Sequence, residues 1–258
     1  MEVHHHPHAA NPPGGPAGKS LKEYFSEFLM LFLAVTLGFF AENLREHFND
    51  RNAIKNDMRS MIADLQSDLG MYTSYLAVND LSDRRIDTLI KLLKTDRSNT
   101  SQIYFLARYI TANNAIYTPN DRTFDQLKNS GALKLIESRE ILDSLTDYYQ
   151  SLEFFSSQSN MQRDKVGGVH LANSQLFDGY TFQHMFSRVT GNESLDVTIL
   201  MPQNNPPLLT DDYRIINNVV VAYHYLYAVT EVNSENARLR LEQARNLAQL
   251  LRKEYNLE

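Results

Sequence analysis

Residues 210–255 read TDDYRIINNVVVAYHYLYAVTEVNSENARLRLEQARNLAQLLRKEY, and the spacing of apolar and small side chains within them decides the fold. Tyr213, Ile216, Val220, Tyr223, Tyr227, Thr230, Ser234, Ala237, Leu241, Ala244, Ala248, Leu251 and Tyr255 recur at alternating intervals of three and four. That period keeps one face of an α-helix apolar. The stripe predicts a helix about 64 Å long, with Thr210 as its N-cap and Asp211 and Asp212 as first-turn acids that suit the helix dipole. Its middle is small, at Thr230, Ser234 and Ala237, where a neighbouring helix can approach closely. Glu242 with Arg238 and Arg245 adds charge pairing beside the seam. A stripe of this kind serves either as a bundle helix within one chain or as an oligomeric coiled coil.

The same period appears nearer the N-terminus. Leu44, Phe48, Met58, Ile62, Leu65, Leu69, Tyr72 and Leu76 step along one seam, with Arg51 and Lys55 in the intervening turns. Just before it lies an uncharged run, residues 28–41, reading FLMLFLAVTLGFFA. As a helix the run spans about 21 Å, and extending it back through Tyr24 and Phe25 gives about 27 Å, enough for a thin bilayer with Glu27 leaning toward the headgroups. It is apolar on all sides and aromatic at both ends, which favours a membrane span over a core helix. The run closes on Phe39-Phe40-Ala41-Glu42, which is no small-x-small cleavage site, so the anchor is expected to stay on the chain. No proline falls between Ala17 and Thr118, so span and stalk are expected to form one rod from about Leu21 to Ala77. The expected fold is all-α: an N-terminal transmembrane helix (residues 21–43) continuing into a stalk helix, packed in an elongated bundle with the long C-terminal helix. Residues 44–258 make up the helical domain.

Shorter helices are expected at about 81–95, 101–113 and 138–164, each with apolar residues at helical spacing. Thr123 and Gln126 fit a capping box, and Gly131 is placed to end a short helix in a left-handed conformation. This helix–turn–helix corner leaves Asn129 and Ser130 as exposed loop polars. Only Val197-Thr198-Ile199-Leu200-Met201 reads as extended chain. Residues 167–207, with Gly167, Gly168, Gly179 and Gly191, read as an irregular insertion.

Composition narrows the chemistry. The 258 residues carry a net charge of −6, which argues against a nucleic-acid partner held by a broad basic surface. Zero cysteines exclude disulfides, thiolate metal sites and cysteine nucleophiles. None of His47, His170, His184 or His224 has a glutamate three residues before it, so the di-iron bundle pattern is missing. No His-Glu-x-x-His, Gly-x-Ser-x-Gly or Gly-x-Gly-x-x-Gly occurs either. His224, beside the Tyr223/Tyr227 stripe, is expected to be a hydrogen-bonded bundle residue. Asp64 and Asp68 share one face of the stalk helix and read as a solvated acidic face.

Residues 1–20 contain four of the eight prolines and four of the eight histidines and are expected to be a disordered tail. Gly18-Lys19-Ser20 ends like a P-loop, but the first glycine that motif requires falls at Pro13, and no strand precedes it. His4, His5, His6 and His8 form a candidate metal site, because imidazoles close together on a flexible tail can chelate one ion.

Three segments, Met1-Glu2-Val3-His4-His5-His6-Pro7-His8, residues 32–47 (FLAVTLGFFAENLREH) and residues 123–136 (TFDQLKNSGALKLI), resemble uncharacterised membrane-anchored proteins of Bacteroidetes bacteria. The resemblance implies a bacterial, single-span protein, and it carries over no activity, cofactor or catalytic residue; the expected location is the bacterial inner membrane. Arg45, Arg51, Lys55 and Arg59 outnumber Lys19 and Lys22 across the span, favouring a cytoplasmic domain. Anchors with short tails commonly export the domain they carry; the two arguments nearly balance, with a lean to the periplasm. The expected function is a membrane-anchored helical interaction or sensor module without catalytic activity. It meets the bilayer through residues 21–43, and a protein partner or second copy through its helical faces. A metal-handling tail and an enzyme with its site in 167–207 are the alternatives.

Overall fold

A computed structural model describes residues 20–257 except 116, 119 and 190–195. The described elements are α1 (Leu21–Thr95), α2 (Thr100–Ala112), α3 (Arg122–Ser130), a 3-10 turn (Ala132–Leu135), α4 (Arg139–Asn173), α5 (Gly179–His184), β1 (Phe186–Val189), β2 (Asp196–Ile199) and α6 (Tyr213–Tyr255). Among the described residues the chain is all-α apart from one pair of short strands, and it divides into two units, residues 1–53 and residues 54–258.

The first unit holds the beginning of α1. Its apolar side chains are bare all round: Phe28, Met30, Leu31, Leu37, Phe39 and Phe40 are each more than 60% exposed. This segment is long and apolar enough to cross a membrane, and none of its most hydrophobic window is buried. Leu44 and Phe48, expected to open the packed seam, are exposed as well. Packing starts one to two turns later, at Ile54.

In the second unit the rest of α1 packs with α4 and α6. One apolar cluster joins Met58, Met61, Leu65 and Tyr72 of α1 to Leu145, Tyr148, Leu152 and Phe155 of α4 and to Ala237, Ala244, Leu247, Ala248 and Leu251 of α6. A second joins Ile86, Leu89 and Leu93 of α1 to Ile103, Tyr104 and Ala107 of α2, to Val166 and Val169 of α4, and to Ile216, Val219, Tyr223 and Leu226 of α6. Each fully buried aliphatic or aromatic side chain contributes on the order of 1.5–3 kcal/mol. Between the clusters lies a polar layer. Asn79 Nδ2 donates to Ser234 Oγ at 3.1 Å, Tyr75 Oη and Asn233 Nδ2 both donate to Gln162 Oε1 at 2.9 Å, and Gln162 Nε2 reaches Asn79 Oδ1 at 3.4 Å. At this level the small residues of the α6 stripe, Thr230, Ser234 and Ala237, are all buried.

Several expectations are corrected. The stalk does not stop near Ala77 to restart at 81. It continues unbroken to Thr95, because Asn79 spends its amide on Ser234 and not on capping its own backbone, and Asp80 pairs with Arg84 one turn on, at 2.9 Å. The helix ends where the Arg97 guanidinium takes the Leu93 carbonyl at 3.0 Å and the Asp96 carboxylate accepts the Ser98 N–H. On α6 the cap is Asp212, whose side chain accepts from the Arg214 N–H, while Thr210 Oγ1 accepts from the Asp212 N–H. Tyr213 and Tyr227 of the stripe are exposed and Leu241 is only half-buried, while Val219, Leu226, Asn233 and Leu247 are buried beside it.

Gly131 does end α3 in the left-handed region, at φ 73°. Thr123 is not its cap. Arg122 is already helical, and the Thr123 side chain is turned to another element. Helix α4 runs through Gly167 and Gly168 to Asn173, so the irregular stretch is shorter than expected. It also contains more order than one extended piece. Asp178 caps α5, and β2 pairs antiparallel with β1, Phe186 opposite Ile199 and Ser187 opposite Thr198.

Candidate functional site

Asp64 and Asp68 are the largest departure from the reading of a solvated acidic face. Both are buried, at 6% and 1% exposure, under the chain at residues 120–124 and against α4. Asp64 accepts from Thr123 Oγ1 through a short hydrogen bond, from the Thr123 backbone N–H at 3.3 Å, and from Asn120 Nδ2 at 3.1 Å. The Arg122 guanidinium stands 3.7 Å away. Asp64 thereby supplies from α1 the carboxylate that the first turn of α3 needs, since Asp121 at that cap position makes no side-chain cap bond.

Asp68 accepts from the Tyr148 hydroxyl at 2.7 Å. Burial pushes its carboxyl up to about 6; the Tyr148 bond and an Asn120 backbone N–H pull it down, and the neighbouring Asp64 and Asp121 charges push it further up. Around it stands a set of phenols. Tyr72 and Tyr117 hydrogen-bond through their hydroxyls at 3.2 Å with their rings stacked. Tyr149 stacks on Phe124 with centroids 4.3 Å apart and sends its hydroxyl to the Met61 sulfur. Phe155 closes the cluster edge-on to Tyr72, Tyr75 and Tyr117. Burial raises the Tyr72 hydroxyl to about 12, and those of Tyr117, Tyr148 and Tyr149 move in the same direction for the same reason. These tyrosines remain neutral donors at any physiological pH, and Asp68 is the group in the cluster whose proton is exchangeable near pH 6. With Asp68 itself buried, this chemistry is suited to holding or releasing a proton.

Grooves flank the bundle among the described residues, one of them, about 480 Å³, beside Phe124 and Tyr149. Another, about 740 Å³, lies between α1 and α6 and is lined by Asp80, Asp83, Asp87, His224, Tyr227 and Glu231. Burial, then the Glu231 and Asp80 charges, push Asp83 up to about 7. His224 is exposed on its wall and not tied into the bundle as expected; its ring lies 6.4 Å from that of Tyr225. A further groove, about 580 Å³, falls in the region reserved for an enzyme site. Tyr180, His184, Met185, Leu200, Met201 and Pro206 are among its walls. His184 Nδ1 meets the Tyr180 carbonyl at 2.8 Å and the two rings lie 4.1 Å apart, an arrangement that orients the imidazole against its own helix.

His4, His5, His6 and His8 lie outside the described residues. Among the described residues no group of three or more His, Asp or Glu side chains is arranged to hold a metal ion. Ser130 turns its hydroxyl to the Leu127 carbonyl at 3.2 Å, which gives it a place in the helix end. The sequence could not mark Asp68 as special, because its burial depends on Tyr148, 80 residues away, and on residues 120–124 folding over it.

A second, outward-facing feature involves α4 and α6. These helices run antiparallel, as the Gln162–Asn233 bond at 2.9 Å and the Lys165 ammonium 5.7 Å from the Tyr225 ring centre require. A groove of about 370 Å³ opens between them, with Gly168, Leu171, Val221 and Tyr225 in its walls. No family model, curated protein or solved structure matches the chain.

Proposed function

We propose that the chain is a single-span, membrane-anchored helical module of the bacterial inner membrane that acts by presenting helical surface to a protein partner, without turning over a substrate. The observation that carries the reading is the contrast within α1. Residues 28–41 expose apolar side chains around the whole circumference, whereas from Ile54 onward the same helix buries one face in a packed core. An all-round apolar helix is stable against hydrocarbon and costly against water, and Tyr24 at its start is a residue type that settles at headgroup level. The resemblance of residues 32–47 to membrane-anchored bacterial proteins supports the same placement.

Alkaline carbonate extraction tests the anchor. The full chain is expected to stay with the membrane pellet, while a chain beginning at Arg45 is expected in the supernatant. Equal release of both would reject the reading.

A further inference from the structure

Helices α4 and α6 each carry two apolar stripes. The inner ones build the core. The outer ones step by sevens: Phe154, Met161 and Gly168 on α4, and Tyr225, Val232 and Leu239 on α6. Antiparallel packing makes them three rungs, Gly168 beside Tyr225, Met161 beside Val232, and Phe154 beside Leu239. Every large side chain in these rungs is between 44% and 59% exposed, and Leu171, next to Gly168, is 73% exposed.

Gly168 has no use in a single copy. Its φ is not left-handed, and a Cβ built there would meet nothing within 4 Å. A glycine in a helix interior costs about 1 kcal/mol against alanine, and Gly167 precedes it. What a missing Cβ provides on an open helix face is room for something from outside. That room is the floor of the groove flanked by Lys165, Leu171, Val221 and Tyr225.

We infer that the outer face of α4 and α6 is where two copies of this chain pair, the Tyr225 ring of each copy filling the notch above Gly168 of the other. The inference rests on the interaction-module reading and names its partner. The rungs are self-complementary about a two-fold axis parallel to the helices. Such an axis sets α4 of one copy opposite α6 of the second at the same level, so that Gly168 faces Tyr225, Met161 faces Val232 and Phe154 faces Leu239. At one end a ring meets a residue without a side chain, which is how facing layers interdigitate. The five large rung side chains, with Leu171 and Val221 beside them, each offer roughly 100 Å² by the scale of aromatic burial. Together they would remove about 700 Å² per copy, close to the area of a standard stable interface.

The chain contains no cysteine, so pairing can be mapped by introduced thiols. Two differently tagged full-length chains, one carrying Gly168→Cys and the other Tyr225→Cys, are co-expressed and oxidised in native membranes. A disulfide joining the two tags is expected. A control pairing Gly70→Cys, exposed on α1, with Tyr225→Cys is expected to give none. In detergent, the full-length chain is expected to have the mass of two copies, and Val232→Glu should weaken self-association by about 30-fold, the effect of one central interface side chain. Because Val232 is exposed in the single copy, the melting temperature of the helical signal should not move. A monomeric wild-type chain, a dimer indifferent to Val232→Glu, or an absent 168–225 crosslink would overturn self-pairing. Capture of a different protein on this face would overturn it too, while leaving the interaction reading intact. Release by carbonate, by contrast, would reject the anchor and leave the pairing standing.

Discussion

Replacing Asp68 by Asn should change how stability depends on pH, and the sign can be worked out from the site. The Asp68 carboxyl is held at about 6 in the folded chain against an ordinary 3.8. Between those values the folded state binds a proton that the unfolded state has released, so stability falls as pH rises through the window. The contribution is fully present below pH 3.8 and lost above about pH 6. A shift of this size corresponds to about 3 kcal/mol across the full window, of which about 2 kcal/mol falls between pH 4.5 and pH 7. Asp68→Asn keeps an acceptor for the Tyr148 hydroxyl but turns an amide toward the Asn120 N–H, which sets a constant offset and leaves the slope flat. Urea unfolding at pH 4.5 and pH 7 on both chains isolates the difference, since all other carboxylates are common to the two. The variant is expected to gain about 2 kcal/mol on the wild type between the two pH values. Equal pH dependence of the two chains would show that Asp68 is not the buried acid described above.

The same region supplies two more expected outcomes. Phe155→Ala removes the ring on which Tyr72, Tyr75 and Tyr117 converge and should destabilise by about 3–5 kcal/mol in denaturant unfolding; a loss under about 1 kcal/mol would mean the three tyrosines do not pack there. Thr123→Val takes the hydroxyl from the buried Asp64 carboxylate and should cost about 1.5–3 kcal/mol, with Thr123→Ser recovering most of it, and a Ser variant as unstable as Val would assign the loss to packing.

The parts of the fold legible in the sequence were those carried by period. The α6 stripe marks nine buried positions among its thirteen, and Gly131 ends α3 as its placement requires. Turn chemistry was less legible. Nothing between Ala77 and Leu81 says whether Asn79 caps its own helix or bonds Ser234 on another, and that choice decides between two helices and one. The strand β1 was hidden because Phe186-Ser187-Arg188-Val189 is too short to show alternation. The Asp64/Asp68 cluster was missed for a different reason. A pair of acids one turn apart looks the same whether it faces water or a folded-over segment, and the partners that distinguish the cases lie 56 to 80 residues away. The apolar start of α1, by contrast, needs no partner to be recognised, because its uncharged run, residues 28–41, is continuous in the sequence.

The polar layer of Asn79, Gln162, Asn233 and Ser234 restricts how the three long helices can move. A purely apolar seam tolerates sliding, since one methyl replaces another at little cost. Here an axial slip of one turn, about 5.4 Å, would carry Asn79 away from Ser234 and Gln162 away from Asn233, and set buried amides against the leucines and tyrosines on either side. Each orphaned group costs about 1–3 kcal/mol, so intermediate displacements have nowhere to rest. The bundle of residues 54–258 is therefore stiff along its helix axes. A push or pull applied to any one of the three helices is passed to the other two as a common displacement, as in a keyed shaft, and is not dissipated as shear between them.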